Sequence, residues 1–121
     1  MSHNDLENEI QAKGLTAPRV TPADIESNIA SEYYFTAREG VQAAAHCNES
    51  AVLCGVESSL GLLTFCVLVL KNDFTVTGES ACASPENFDA ELGRKIARQN
   101  AFNKIWPLMG YELRQRLHEA T

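Results

Sequence analysis

An apolar stretch over residues 62–70 constrains the fold of this chain more than any other feature. Its apolar side chains stand at both odd and even positions, which is typical of a β-strand covered on both faces. The polar turn Lys71-Asn72-Asp73 follows, and residues 74–80 then alternate between apolar and polar side chains. The pattern predicts an antiparallel hairpin with strands at 62–70 and 74–81.

The rest of the chain is long enough for one small domain around this hairpin. Its 121 residues fall in the usual size range of a single domain, about 100–150 residues. Residues 1–20 are polar, contain Gly14 and Pro18 and show no sustained apolar period, so we expect a flexible arm. Residues 21–121 are expected to form the ligand-binding domain, in which helices cover one face of the hairpin and a second subunit covers the other.

Several shorter elements are predicted between the arm and the hairpin. Thr21 and Pro22 indicate a helix start, because threonine caps a helix N-terminus and proline suits its first position. Thr36 and Glu39 have the spacing of a capping box, which predicts a second helix. In chain order we predict a helix over 22–31, an extended aromatic segment over 32–35, a short helix ending near residue 48, and a loop over 49–61.

The C-terminal third predicts two helices. Ser84 can cap a helix that begins at Pro85 and runs to residue 106. Pro107 discourages continuation, since a proline disfavours helical backbone in the residue before it. A shorter final helix is predicted over 111–119. The expected fold class is α+β, with a small antiparallel sheet packed against a long C-terminal helix and a shorter final one, in an oligomer.

The long predicted helix carries two apolar stripes. Phe88, Leu92 and Ile96 recur at every fourth position and form a stripe of large side chains. A second stripe consists of small residues that let another element approach closely: Ala90, Gly93, Ala97 and Ala101. Glycine inside a helix costs roughly 1 kcal/mol relative to alanine, so close packing along this second stripe would explain Gly93.

Two arginines between these stripes are the first candidates for ligand binding. Arg94 and Arg98 are one helical turn apart and point the same way. Their planar, permanently charged guanidinium groups suit phosphate or pyrophosphate better than lysine does. The alternative is a solvated face that pairs with Glu91 or other surface acids. The local charge favours an anion, because residues 94–116 carry 6 basic side chains and 1 acidic one.

Other polar side chains nearby have two interpretations each. Asn100 can contact a base edge or a ribose hydroxyl, or it can hydrogen-bond to the hairpin. Lys104 lies one helical turn further along the same face of the helix. Ser80 and Ser84 flank a loop that leads into a helix N-terminus, where free N–H groups attract anions. Ordinary capping by Ser84 is the alternative for that loop.

The aromatic side chains are equally ambiguous. Phe88 and Trp106 can stack on a base, but at helical spacing they can also belong to the core. The same two interpretations hold for Tyr33, Tyr34 and Phe35.

The sequence offers little for catalysis, metal binding or membrane insertion. The four cysteines lack a C-x-x-C pair, and His46, Cys47 and Cys54 supply at most three zinc ligands, so we expect buried reduced thiols. No phosphate-binding loop or dinucleotide-binding motif occurs. The longest apolar run is about half of a membrane span. We expect a cytoplasmic protein without enzyme activity, cofactor or metal, and the net charge of −6 argues against nucleic acid.

The hairpin and the helix after it resemble a known family of small phage and prophage proteins. The resemblance covers nearly all of residues 61–113, whereas the arm and residues 38–61 lie outside it. Its motifs are GLLTFCVLVL (61–70), FTVTGESAC (74–82), SPENFD (84–89), GRK (93–95), AR (97–98), NA (100–101), KIWPL (104–108) and GY (110–111). The family that the chain resembles includes the first-described group of Thoeris anti-defence proteins.

The resemblance implies binding rather than catalysis. Members of that group are sponges that sequester cyclic ADP-ribose isomers, such as glycocyclic ADP-ribose, without cleaving them. Some also capture cyclic di- or trinucleotides. Their fold is an antiparallel sheet with two C-terminal helices, and ligands lie at subunit interfaces. By resemblance we expect a homo-oligomer, either a dimer or a hexamer, whose partner is a small cyclic nucleotide.

These expectations assign roles to particular residues. Arg94 and Arg98 are predicted to hold the pyrophosphate, and Phe88 or Trp106 is the predicted base platform. Further polar contacts are expected from Thr77, Ser80, Ser84, Asn100 and Lys104. The alternative function is a phage protein-interaction module that inhibits a host or defence protein.

Overall fold

The computed structural model describes residues 3–15, 17–47 and 57–121. These residues form three strands, six helices and one 3₁₀ turn. In chain order the elements are α1 (His3–Ala12), α2 (Pro22–Asn28), β1 (Ile29–Thr36), α3 (Ala37–Cys47), α4 (Glu57–Leu60), β2 (Leu63–Leu70), β3 (Thr75–Ala81), the 3₁₀ turn (Pro85–Asn87), α5 (Ala90–Asn103) and α6 (Ile105–Glu119). The fold is α+β, as the sequence predicts.

The three strands form one antiparallel sheet in the order β1-β2-β3. The hairpin prediction is confirmed, because β2 and β3 pair along their length with Cys66 opposite Gly78. Asp73 in the connecting turn has a φ of 71°, a left-handed conformation that aspartate tolerates better than most residues. The extended aromatic segment is confirmed as β1, in which Tyr34 lies opposite Cys66 of the central strand.

One face of the sheet is covered by α5, which packs against β2 and β3. Alternate side chains of β2 point to this covered face and are buried. Together with α2, α5 and the start of α6 they form the core, whose buried apolar members are Ile25, Cys66, Leu68, Leu70, Val76, Ala97, Ala101, Phe102 and Ile105.

The close approach of α5 to the sheet depends on small residues in both elements. A Cβ atom at Gly78 would collide with the backbone carbonyl of Ala97 and the backbone amide of Ala101, and would lie 2.9 Å from the Cα of Ala101. The small-residue stripe therefore faces the sheet. As a consequence the large stripe turns outward, and Leu92 is 53% and Ile96 43% exposed.

The opposite face of the sheet is apolar but incompletely covered in the described part of the chain. We call it the open face and define it by Tyr33, Phe35, Phe65, Val67 and Val69, which share one side of β1 and β2. Phe35 and Phe65 stack with their ring centroids 5.5 Å apart, and α3 approaches this end. Tyr33 remains 57% exposed.

Local capping confirms the predicted start of α2. Thr21 caps α2 and accepts from the Asp24 amide at 3.1 Å, while the Asp24 carboxylate accepts from the Thr21 amide at 2.9 Å. The predicted extension of α2 to residue 31 is wrong, because Ile29 already pairs with Leu70 of β2. The predicted loop over 49–61 lies mostly outside the described residues.

The C-terminal helices differ from the prediction at both ends of α5 and at the start of α6, whereas α6 ends at Glu119 as predicted. Ser84 precedes only a 3₁₀ turn and makes no side-chain cap; Asp89 caps α5 and accepts from the Leu92 amide at 3.1 Å. The chain breaks at Lys104 rather than at Pro107, which stands in the first turn of α6 where its missing N–H removes no helical hydrogen bond. The final helix, with 15 residues, is longer than α5 with 14, so the prediction of a shorter one is wrong.

The N-terminal segment, predicted as a flexible arm, contains the helix α1. The Glu7 carboxylate accepts two hydrogen bonds from Arg19, one of them at 2.7 Å, which ties α1 to the chain just before α2. The Arg19 guanidinium and the Gln11 amide lower the pKa of Glu7 to about 2. Among the described residues, no helix is long and apolar enough to cross a membrane.

Replacement of Gly78 by alanine should destabilise the fold, because the added methyl group would clash with backbone atoms of α5. We expect the free energy of unfolding to fall by about 1–3 kcal/mol or more in chemical denaturation, as overpacking typically costs. Gly110→Ala is the matched control, since nothing lies within 4 Å of its added Cβ. A Gly78→Ala variant as stable as the wild type would contradict the close packing.

Candidate functional site

A cavity of about 150 Å³ opens between the end of β1, the start of β2 and the first turns of α3 and α5. It combines one basic, one acidic, two hydroxyl and three aromatic side chains. Its lining residues are Tyr34, Phe35, Thr36, Glu39, Thr64, Phe88, Ala90 and Arg94. We call it the Arg94 cavity.

Strand alternation brings three of these side chains to the covered face. Tyr34 and Thr36 are two residues apart in β1, so they share a face, and Thr64 of β2 lies directly opposite Thr36. Gly93 allows α5 to pass closely above them, because a Cβ there would lie 3.1 Å from the Thr64 hydroxyl oxygen and 3.9 Å from the Phe88 ring. The small stripe of α5 thus also shapes the cavity.

Arg94 brings a positive charge to this cavity. Its side chain is exposed, and no carboxylate of the described residues lies within 4 Å of its guanidinium. Glu91, which the sequence offered as a pairing partner, instead lies 3.4 Å from the Lys95 amine. Arg94 is therefore available to an anionic ligand.

The N-terminal ends of α3 and α5 meet at the cavity. Thr36 and Glu39 form the predicted capping box at α3, with the Glu39 amide donating to the Thr36 hydroxyl at 3.1 Å and the Thr36 amide donating to the Glu39 carboxylate at 3.1 Å. The positive ends of two helix dipoles add to the field of Arg94. The Glu39 carboxylate opposes that field, and it offers an acceptor for hydroxyl donors.

The side chain of Arg98 lies outside the Arg94 cavity, although the two arginines are one helical turn apart. Its Nε donates to Glu32 at 2.9 Å, and its terminal nitrogen donates to Glu26 at 2.6 and 3.1 Å. These bonds, first of all that to Glu26, raise the pKa of Arg98 further above its usual value. Arg98 lines a separate groove beside Phe102, where Glu26 is also part of the lining and two carboxylates already pair with the guanidinium charge.

The predicted polar contacts are distributed around the sheet rather than gathered in one site. The Asn100 amide donates to the Glu79 carbonyl at 2.8 Å, which is the hairpin contact that the sequence left as an alternative. The Ser84 hydroxyl donates to the Glu86 carboxylate at 2.7 Å. Thr77 is exposed beside the open face, opposite Val67, whereas Ser80 lies on the covered face opposite Thr64.

The remaining predicted site residues also lie at different places in the fold. Phe88 lines the Arg94 cavity, so the structure brings it together with Arg94. Trp106 instead packs edge-on against Phe102, with the ring centroids 6.3 Å apart, and borders the core. Lys104 is exposed at the junction of α5 and α6.

Sequence reasoning missed three residues of the cavity: Thr36, Glu39 and Thr64. The Thr36-to-Glu39 spacing was visible as a helix start, but nothing local indicates that this start faces α5. Thr64 stands in an apolar strand and is only 3% exposed, so its hydroxyl gave no signal as a site residue. The pairing of Thr36 with Thr64 in the sheet brings these two hydroxyls together at the cavity.

The described part of the chain contains no group of three or more His, Cys, Asp or Glu side chains placed to hold a metal ion. Cys66 is buried in the core and Cys82 is half-buried, and both are free thiols. Burial raises the pKa of the Cys66 thiol, so the neutral form is favoured. Cys54, which the sequence considered as a ligand, lies outside the described residues.

The model of the phage protein (N4 Gp49/phage Sf6 gene 66) family matches residues 20–117, which is most of the chain. Neither the curated proteins nor the solved structures provide a match.

Proposed function

The chain belongs to this family of phage proteins, and we propose that it binds and sequesters a cyclic nucleotide immune signal without cleaving it. The observation that carries the proposal is the guanidinium of Arg94 at a cavity that also holds the Phe88 ring and the hydroxyls of Thr36 and Thr64. No described carboxylate lies within 4 Å of this guanidinium.

The groups around the cavity correspond to the parts of a nucleotide. Arg94 can donate two parallel hydrogen bonds to a phosphate, which is the geometry that a guanidinium favours. Glu39 accepts hydrogen bonds from ribose hydroxyls, and Phe88 or Tyr34 offers a ring for stacking on a base. Cyclic ADP-ribose isomers carry all three parts in one compact ring, in agreement with the resemblance.

Sequestration requires tight binding and an excess of protein over signal, and it requires no general base or metal. A charged hydrogen bond is stronger where water is excluded, since the effective dielectric constant falls. The proposal therefore places the ligand in an enclosed site.

The Arg94 cavity of one chain is too small for such a ligand. Its volume of about 150 Å³ is below the roughly 300–1,000 Å³ of pockets that enclose drug-sized molecules. The open face begins beside it at Phe35, which contributes to both. We therefore propose that a second copy of this chain docks on the open face and completes the enclosure.

In a two-fold dimer the open face of one chain would contact the open face of a second copy. The residues that define it carry no charge, so apposing two of them buries no ionic group. Thr75 and Thr77 continue the face on β3, and Glu79 is the acidic residue at its margin. The exposure of Tyr33 and Phe35, 57% and 37%, leaves apolar area that a partner would remove from water.

A ligand panel tests the proposed function. The wild-type protein is incubated with cyclic ADP-ribose, glycocyclic ADP-ribose, and cyclic di- and trinucleotides, and melting temperature and affinity are measured. Arg94→Gln should weaken binding of the stabilising nucleotide about tenfold to a hundredfold, as expected for a lost charged hydrogen bond. Lys95→Gln, on the neighbouring residue of α5, should leave affinity unchanged.

Heat denaturation followed by chromatography should then return the ligand intact. A converted product would contradict sequestration, since it would indicate an enzyme. A stable complex with a host polypeptide, together with no thermal shift by any nucleotide, would favour the protein-interaction module instead.

A charge placed on the open face should separate the subunits. We expect Tyr33→Glu to sediment as a monomer in analytical ultracentrifugation and to lose nucleotide binding, because an isologous contact would bury the carboxylate twice. Tyr111→Glu introduces the same change at an exposed position of α6 and should leave the assembly intact. Wild-type protein that sediments as a monomer with ligand bound would contradict the shared site.

A further inference from the structure

Arg98 joins three elements through charged hydrogen bonds. It stands on α5, and its two acidic partners, Glu26 and Glu32, come from α2 and β1. The side chain of Arg98 is 29% exposed, and its guanidinium lies 6.0 Å from the centroid of the Phe102 ring. The Nε and one terminal nitrogen of the guanidinium thus donate to carboxylates of the same chain.

Glu32 connects Arg98 to Tyr34, a residue that lines the Arg94 cavity. One of its carboxylate oxygens accepts from Arg98, and the other accepts from the Tyr34 hydroxyl at 3.1 Å. Glu32 and Tyr34 are two residues apart on the covered face of β1. Since Tyr34 lines the Arg94 cavity, the ring that faces a ligand is held by a carboxylate that Arg98 orients.

The Tyr34 phenol is suited to this role because it stays protonated. Burial first, then the neighbouring Cys66 thiol and the Glu32 carboxylate, raise the pKa of Tyr34 to about 12, against a smaller opposing effect of Arg98. A protonated hydroxyl is required to donate to Glu32. The phenol is therefore protonated at neutral pH and loses its proton only in strong base.

From this chain of contacts we infer that Arg98 is a positioning residue, which fixes the Tyr34 ring through Glu32, and that Arg94 alone of the pair contacts the phosphate. The inference rests on the proposed function. It gives the two arginines, which the sequence presents as equivalent, separate roles in nucleotide binding.

The test uses the full chain, with glycocyclic ADP-ribose as the probe. Glu32→Gln and Tyr34→Phe should each weaken binding about fivefold, the usual effect of one lost hydrogen bond. The double variant should bind no more weakly than Glu32→Gln alone, because both changes break the same link. Glu26→Gln is the matched control: it removes the charge of the other partner of Arg98, leaves the Glu32–Tyr34 contact, and should bind like the wild type.

Ultraviolet titration of the tyrosines supplies a readout that does not depend on the ligand. The component of the wild type with a pKa of about 12 should disappear in Tyr34→Phe, shift to lower pH in Glu32→Gln, and stay in place in Glu26→Gln. Melting temperatures recorded in parallel identify any variant that is partly unfolded.

The outcomes separate the two proposals. If Arg94→Gln weakens binding as predicted but Glu32→Gln and Tyr34→Phe do not weaken it, or if the effects of these two changes add, the positioning role is overturned and the proposed function stands. If Arg98→Lys weakens binding as strongly as Arg94→Gln while Tyr34 titrates as in the wild type, Arg98 contacts the ligand directly. A wild-type protein that binds no nucleotide overturns both.

Discussion

The close contact between α5 and the sheet at Gly78 determines most of this structure. Only a glycine in β3 lets the backbone of α5 come so near at Ala97 and Ala101. With these small residues turned inward, Arg94 and Arg98 project toward β1, and the large residues Leu92 and Ile96 turn to solvent. One packing contact thus places both the charged groups and the exposed apolar ones.

The same helix gives its two arginines different environments. Arg98 lies beside Glu26 and Glu32, whose side chains are 52% and 41% exposed, and donates charged hydrogen bonds to both. Arg94, one turn nearer the start of α5, meets hydroxyls and rings and no described carboxylate within 4 Å. An anion at Arg94 therefore meets no described carboxylate within 4 Å of the guanidinium, whereas at Arg98 it would lie beside two carboxylates that repel it. The difference favours one arginine as the ligand contact.

Local chemistry made much of the fold predictable from the sequence. The hairpin follows from strand alternation and a three-residue turn, and the caps at Thr21 and Thr36 depend on residues three positions away. Contacts between residues far apart in sequence could not be predicted in the same way. The partners of Arg98 lie 66 and 72 positions away in sequence, and the start of α5 at Asp89 rather than Ser84 depends on how the chain meets the sheet. The cavity is lined by residues from four elements, so no single sequence motif predicts it.

The central claim is that Arg94 binds a phosphate in a site shared by two copies of the chain. A crystal structure of the protein with glycocyclic ADP-ribose tests it most directly. The account predicts a phosphate oxygen about 2.7–2.9 Å from the Arg94 guanidinium, with the open face of a second copy enclosing the ligand and with Arg98 still bonded to Glu26 and Glu32. A ligand held by one chain alone, or by Arg98 with its carboxylates displaced and Arg94 in solvent, would contradict it.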